Sequence, residues 1–107
     1  LATATDATAM STVTVTFGPS GFTYTPKCVK VRVNTDVVFN GGFVGHPLLG
    51  GEVVGGSYVP ASSGPFVPVT NTGTTKTFSM TSVGTYPYFC TIHGAPMGMT
   101  GAVFVVP

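Results

Sequence analysis

The sequence predicts an all-β protein, an antiparallel Greek-key β-sandwich of seven or eight strands. Three observations support this prediction. Gly and Pro are frequent, with 15 and 9 residues among 107, and both favour turns. Only 7% of the residues are charged, whereas 43% are hydrophobic. A composition with few Lys and Glu and many Thr favours strands over helices. Short segments of alternating polar and apolar residues are separated by turn residues, as the strands of a sandwich are. No segment predicts a helix longer than one turn.

The alternation places the strands in chain order. In the first strand, STVTVTF, Val13, Val15 and Phe17 form the inward face. The turn GPSG at 18–21 and the short stretch FTYTP follow. The valines of KCVKVRV also point inward, so Cys28 is expected to face solvent or the sheet edge. Residues 50–74 have turn residues every few positions and no period, which predicts a long surface connection. Strands are predicted at 11–17, 27–33, 36–40, around Val53, and at 75–80, 86–90 and 101–106.

Composition excludes several classes of function. The net charge of +1 provides neither a basic footprint for nucleic acid nor an acidic docking face. No apolar run approaches the ~20 residues that span a membrane. The three acidic residues, Asp6, Asp36 and Glu52, have no spacing that indicates a hydrolase triad, and no phosphate-binding loop is present. Ordinary hydrolytic and nucleotide chemistry is therefore not expected.

The chain is expected to divide into a flexible segment at 1–10 and one domain at 11–107. The segment LATATDATAM has neither the basic start nor the apolar centre of a secretory signal. It is compatible with the remainder of a cleaved signal, with a linker from a membrane anchor, or with an arbitrary start of the chain.

One loop, YFCTIHGAPMGMTG, contains most of the residues with distinctive chemistry. Cys90, His93, Met97 and Met99 fall within ten residues of one another. Each has an ordinary explanation alone, since a buried Cys packs as a small hydrophobe and Met fills space. The other histidine, His46, lies in a Gly-rich loop that one end of a sandwich would bring nearby. A thiolate, two imidazoles and a weak thioether are the ligands of a blue-copper electron-transfer site.

These motifs resemble those of the cupredoxin family, of the plastocyanin, pseudoazurin and amicyanin kind. FTYTPKCVKVRVNTDVVFN resembles the family's F-x-P-x-x-V-x-V-x-x-G-D-x-V-x-F-x-N, with Tyr24 at the Phe position and Thr35 in place of Gly. GGFVGH resembles the loop that delivers the first His ligand. YPYFCTIHGAPMGMTGAVFVV resembles Y-x-[FY]-x-C-x-x-H…M-x-G-x-V-x-V. The resemblance covers nearly the whole chain after Met10 and implies a β-sandwich with one type 1 copper ion.

Carried over by position, the resemblance implies that His46, Cys90 and His93 are copper ligands. It also implies an axial Met before the last strand, in the family's M-x-G. That motif is matched here by MTG, which favours Met99. Met97 is the alternative axial ligand, and otherwise resembles a hydrophobic residue at the rim of the site.

Three other positions depart from the family pattern. Pro47 follows the first His, where Asn is frequent, and lacks the N–H that would reach the cysteine sulfur. Ile92 has a free N–H where plastocyanins have Pro, so at most one such donor is expected, from Ile92. Cys28 stands where azurins carry half of a disulfide, and its partner in the first strand is absent here. A free Cys28 thiol is therefore expected, although a secreted chain with two cysteines ordinarily forms a disulfide, here Cys28–Cys90.

The resemblance implies a mobile one-electron carrier rather than an enzyme. Both histidines of the chain are assigned to one site, which leaves none for the second copper centre of a copper reductase or oxidase. The alternatives are an electron-donating domain of a larger copper enzyme, a copper-binding or delivery protein, and a sandwich without metal. A monomer in the periplasm or outside the cell is expected, either free or tethered through its N-terminal segment, with no nucleic acid and no small-molecule substrate.

The expected partners are other redox proteins, which dock on an apolar surface around His93. This surface is uncharged and comes from the two ligand loops. The ordinary alternative is that its residues pack beneath the loops. The predicted members are Phe43, Val44, Leu48, Leu49, Ala95, Pro96 and Met97.

Overall fold

The computed structural model describes residues 4–18 and 21–107. Residues 19 and 20 of the predicted turn at 18–21 lie outside this part of the chain. The described residues form ten strands and one helical turn. In chain order these are β1 Thr5–Asp6, β2 Thr12–Phe17, β3 Tyr24–Thr25, β4 Cys28–Arg32, β5 Thr35–Asn40, β6 Leu48–Val54, β7 Ser57–Pro60, β8 Thr75–Met80, β9 Gly84–Cys90, α1 Gly94–Met97 and β10 Thr100–Val106.

The strands form two sheets, which confirms the predicted β-sandwich. The larger sheet has the order β1-β4-β10-β9-β6-β7, and the smaller has the order β3-β2-β5-β8. Both sheets are mixed rather than purely antiparallel, because β1 and β10 run parallel to β4, and β2 runs parallel to β5. A polarity pattern reports which face of a strand is buried but not the direction of its neighbour, so the sequence prediction was wrong on this point.

The N-terminal segment contributes to the larger sheet. Thr5 and Asp6 pair with Val29 and Lys30 of β4, and the Ala7 N–H donates to the Lys30 carbonyl over 2.8 Å. Ala7 is itself buried. Within the predicted flexible segment at 1–10, Thr5–Asp6 therefore forms a short strand at the edge of the larger sheet.

A hairpin replaces the first part of the predicted surface connection at 50–74. β6 and β7 pair from Gly51 opposite Pro60 to Val54 opposite Ser57. Gly55 and Gly56 make the turn with φ values of 57° and 79°, which glycine adopts without steric cost. β7 is exposed along its whole length, whereas the other edge of β6 pairs with β9. The hairpin thus extends the larger sheet beside the end of β9.

The core lies between the sheets and is largely aromatic. The inward positions of β2 and β8 are buried as predicted. Tyr24 and Tyr88 pack with their rings perpendicular and 4.8 Å apart, and Phe39 contacts both. The Tyr88 hydroxyl donates to the Lys27 carbonyl over 3.2 Å, whereas the buried Tyr24 hydroxyl has no hydrogen-bond partner among the described residues. No helix in the described chain is long and apolar enough to cross a membrane.

Candidate metal centre

Strand pairing brings the candidate ligands together at one end of the sandwich. Cys90 is the last residue of β9, and its partner across the sheet is Leu48, the first residue of β6. His46 lies two residues before Leu48 and therefore comes next to Cys90. His93 follows Cys90 by three residues and begins α1 as its N-cap. The three ligand atoms of His46, Cys90 and His93 all lie within 4.8 Å of one another.

The distances among these three residues fit a transition metal held by two nitrogens and one sulfur. The Cys90 Sγ lies 3.8 Å from the His46 Nδ1 and 3.6 Å from the His93 Nδ1. With bonds of about 2.3 Å to sulfur and 2.0 Å to nitrogen, as at zinc sites, a trigonal arrangement separates sulfur from nitrogen by about 3.7 Å. The two Nδ1 atoms are 3.1 Å apart, so only a small outward movement of the rings is needed. The donor set is that of the blue-copper class.

The loop from Cys90 to Met99 is closed by its own backbone hydrogen bonds. The Met97 and Met99 N–H groups both donate to the His93 carbonyl, over 2.9 and 3.3 Å. The Cys90 N–H donates in turn to the Met99 carbonyl over 3.0 Å. Gly98 lies between the two methionines with φ 69°, the left-handed conformation that ends helices. This reversal leaves Met97 52% exposed and turns Met99 fully inside, at 0%.

One backbone N–H reaches the thiol sulfur. The His93 N–H donates to the Cys90 Sγ over 3.5 Å, so the donor is one residue later than the predicted Ile92, whose side chain is exposed. The chain turns at His93 into α1, and this turn directs the His93 N–H toward the Cys90 sulfur. Pro47, which has no N–H, contributes its carbonyl, which accepts from the Thr91 N–H over 2.9 Å. Pro47 therefore links the His46 loop to the chain directly after Cys90.

The electrostatic environment favours a neutral His46. Burial lowers the pKa of His46 below its usual value, and the nearby His93 lowers it further. Burial makes the charged form of the His46 imidazole unfavourable. A neutral imidazole keeps the lone pair that a metal requires. The pocket thus presents His46 in a form that can bind a metal at neutral pH.

Phe22 contacts the candidate site, although sequence reasoning did not identify it. Its ring lies 4.5 Å from the His93 ring at an interplanar angle of 40° and 6.2 Å from the ring of His46. Phe17 contacts His46 edge-on from the core side, at 6.0 Å. Phe22 lies between β2 and β3, and its contacts place it at the same end of the sandwich as the ligand loops. An aromatic residue directly after the predicted turn at 18–21 was the only sequence signal.

Part of the predicted docking surface is exposed and part is buried. Val44 is 74% exposed and Met97 is 52% exposed, and Pro96 is also at the surface. Leu49 and Ala95 are half-buried. Phe43 and Leu48 are 0% and 1% exposed, so these two assignments were wrong. Both residues pack beneath the loops because Leu48 begins a central strand and Phe43 lies against Phe17.

Cys28 and Cys90 are both free thiols. Cys90 is buried at the candidate metal centre, and Cys28 is half-buried in β4. The predicted free Cys28 agrees with this arrangement, and the alternative Cys28–Cys90 disulfide does not form.

Comparison with known proteins gives matches among solved structures. No protein-family model matches the chain, and no curated protein matches it. A copper-containing nitrite reductase from Thermus scotoductus SA-01 matches 89% of this chain with 26% identity and a TM-score of 0.60, and this chain spans only 22% of that protein. A purple cupredoxin from Nitrosopumilus maritimus matches 88% of this chain and 99% of its own length, with 21% identity and a TM-score of 0.63. The reduced auracyanin from Roseiflexus castenholzii matches 92% of this chain and 98% of its own length, with 19% identity and a TM-score of 0.58.

Proposed function

The chain has a cupredoxin-like fold, and we propose from this that it binds one copper ion and carries single electrons between redox proteins. The observation that carries the proposal is the cluster of His46, Cys90 and His93, whose ligand atoms lie within 4.8 Å of one another. This cluster combines a thiolate donor with two imidazoles at one end of a rigid sandwich. Copper bound there would exchange one electron between its Cu(I) and Cu(II) states.

Met99 is proposed as the axial ligand. Its side chain is fully buried, and its backbone is hydrogen-bonded to both Cys90 and His93. Met97 lies on the same loop, but half of its side chain faces solvent. A weak axial thioether beside a strong thiolate is typical of blue-copper sites and tunes their potential.

The protein scaffold would keep the donors in place while the oxidation state changes. Cys90 is held at the end of a paired strand, and the His46 loop is linked to the chain after Cys90 by the Pro47 carbonyl. The His93 N–H donates to the Cys90 sulfur and stabilises its negative charge. Because these contacts are made within the protein chain itself, little reorganisation of the chain should accompany electron transfer.

Electrons are proposed to leave through His93. This residue is half-buried, and its surroundings at the surface are uncharged. Val44, Ile92, Pro96 and Met97 are exposed in the two ligand loops, and Phe22 lies against the His93 ring. A partner with an apolar face could approach His93 there. We therefore propose a monomer that docks on other redox proteins and takes neither a nucleic acid nor a small-molecule substrate.

A second candidate function is the electron-donating domain of a larger copper enzyme. The match to a nitrite reductase favours this alternative, since this chain corresponds to 22% of that protein. We favour the independent carrier because the purple cupredoxin and the auracyanin match over nearly their full lengths. Sequencing the complete gene would separate the two, because a reductase needs a further domain with more histidines.

The proposed location is the periplasm or the outside of the cell, as the family resemblance implies. Tethering through the N-terminal segment is a variant of this proposal. Fractionation of the native cells tests both, since a tethered protein would remain with the membrane fraction after a salt wash.

The proposed function is tested by two matched cysteine variants. Protein with one equivalent of Cu(II) should show a reversible one-electron wave in voltammetry. Cys90→Ala should lose both the wave and the thiolate-to-copper absorption, because it removes the thiolate donor. Cys28→Ala should keep both, since Cys28 lies in β4, outside the ligand cluster. Loss of the absorption in Cys28→Ala, with Cys90→Ala unaffected, would contradict the assignment.

A further inference from the structure

The exposed strand β7 of hairpin β6–β7 contacts the loop from Cys90 to Met99 through Tyr58. The Tyr58 hydroxyl accepts a hydrogen bond of 3.1 Å from the Ala95 N–H. Its ring packs on Phe89 at a centroid distance of 5.0 Å. Phe89 precedes Cys90, and Ala95 follows His93 by two residues. One side chain of the hairpin therefore contacts the chain beside two of the candidate ligands.

The hydrogen bond to Ala95 supplies a cap that the ligand loop lacks. The first N–H groups of a helical turn have no partner within it, and the residue before the turn usually provides one from its side chain. Here that residue is His93, which makes no side-chain cap because its Nδ1 faces Cys90 and His46. The Tyr58 hydroxyl provides the bond from another strand and leaves the imidazole free.

Close packing at Gly94 shows how tightly the loop and hairpin fit. A Cβ atom at Gly94 would lie 3.0 Å from the Tyr58 Cε1, 3.2 Å from the Phe89 Cβ and 3.3 Å from the Val53 Cγ2. These distances are shorter than ordinary van der Waals contacts, and Gly94 is buried. The backbone directly after His93 thus lies against the hairpin with no space for a side chain.

We infer that Tyr58 is a positioning residue, through which hairpin β6–β7 holds the backbone of the His93 loop in its ligating conformation. The inference rests on the proposed function for its purpose, because a metal site that changes oxidation state needs His93 in a fixed place. The contacts themselves join protein atoms outside the three candidate ligands. The metal-free protein can therefore test the inference separately.

The first experiment measures amide hydrogen exchange in the metal-free protein by NMR. Tyr58→Phe keeps the ring on Phe89 and removes the hydroxyl. The informative amides are those of Met97 and Met99, because they donate to the His93 carbonyl and are not bonded to Tyr58. Loss of a hydrogen bond that holds the loop should speed their exchange by about two- to tenfold. Unchanged exchange at both amides would overturn the inference.

Tyr86→Phe is the matched control. The Tyr86 hydroxyl likewise bonds to the backbone, although it donates to the Ser82 carbonyl, over 2.8 Å, rather than accepting. Its hydrogen bonds among the described residues reach neither the His46 loop nor the Cys90–Met99 loop. The variant should leave the exchange of Met97 and Met99 unchanged. Equal acceleration in both variants would mean general loosening of the sandwich, and this result also contradicts a specific role for Tyr58.

The second experiment measures the copper-loaded protein. Tyr58→Ala removes both the hydroxyl and the ring, and it should shift the thiolate-to-copper band and the reduction potential. Tyr58→Phe should produce a smaller shift in the same direction. Val59→Ala, at a neighbouring exposed position of the hairpin, should produce none. An unshifted band and potential in Tyr58→Ala would overturn the role of Tyr58 at the metal centre.

The two experiments separate the inference from the proposed function. Faster loop exchange in metal-free Tyr58→Phe, with no copper binding by the unmodified protein, would support the positioning role and reject the copper function. Normal copper binding, with loop exchange and spectrum unaffected by either Tyr58 variant, would support the copper function and reject the positioning role.

Discussion

At the residue scale, Met97 and Met99 show how the backbone can place the same kind of side chain in solvent or in the core. They are separated only by Gly98, whose left-handed conformation reverses the chain. Met97 therefore faces solvent, and Met99 faces the core. The sequence motif favoured Met99 by resemblance, and the burial of its side chain supports the same choice.

Replacing the two methionines in turn tests which one is the axial ligand. Met99→Leu should raise the reduction potential by on the order of 59 mV, a tenfold change in the one-electron equilibrium. The physical reason is that a thioether stabilises Cu(II) more than Cu(I), so its loss favours reduction. Met97→Leu should change the potential much less. Voltammetry measures both, and a larger shift in Met97→Leu would reverse the assignment.

A second pair of variants tests the two buried tyrosines of the core. Tyr24→Phe removes a hydroxyl that has no partner among the described residues, whereas Tyr88→Phe removes one that bonds to Lys27. We expect Tyr24→Phe to raise the free energy of unfolding by about 1 kcal/mol and Tyr88→Phe to lower it by about 1 kcal/mol. Urea denaturation of the metal-free protein measures both. A loss of stability in Tyr24→Phe would show that its hydroxyl is bonded in solution.

The three residues of the candidate metal cluster could be predicted from residue type and spacing, but their neighbours could not. His46, Cys90 and His93 carry unusual chemistry and leave few alternatives in a chain with two histidines. Phe22 and Tyr58 are ordinary aromatic residues, and their importance comes from tertiary contacts with His93 and Ala95. The donor to the Cys90 sulfur was misplaced by one residue because the direction of an N–H depends on local backbone angles.

At the element scale, strands with a clear alternation were predicted well. β2 and β8 have the expected bounds within a residue, because alternating Val, Phe and Met against Thr and Ser leaves one face to bury. β1, β3 and β7 were missed. β1 and β7 are short and exposed, so neither has an apolar face that a pattern could report. β3 has only two residues, too few to show an alternation.

The hairpin β6–β7 shows the limit of pattern reading most clearly. Its sequence is rich in turn residues and was predicted as a short strand around Val53 within a long surface connection. The strand β6 forms because pairing with β9 satisfies its backbone and buries Leu48 and Gly50. β7 then follows from the two-glycine turn at Gly55 and Gly56. Long-range pairing with β9 therefore determines β6, and the local two-glycine turn adds β7.

At the scale of the whole molecule, the distribution of charge predicts how the protein meets its partners. The chain has only four basic and three acidic residues, and the exposed residues identified around His93 are uncharged. Electrostatic steering should therefore contribute little to association. We expect the rate of electron transfer with a redox partner to change by less than about twofold between low and moderate salt. Stopped-flow measurements check this, and a tenfold fall would reveal a charged docking face.

The visible absorption spectrum of the protein with one equivalent of Cu(II) tests the central claim most directly. If Cys90 and the two histidines hold copper, the spectrum contains an intense thiolate-to-copper band, and one electron equivalent of reductant bleaches it reversibly. Bound Cu(II) with only weak absorption, or no binding of Cu(II) at one equivalent, would contradict the assignment of this site to a type 1 copper centre.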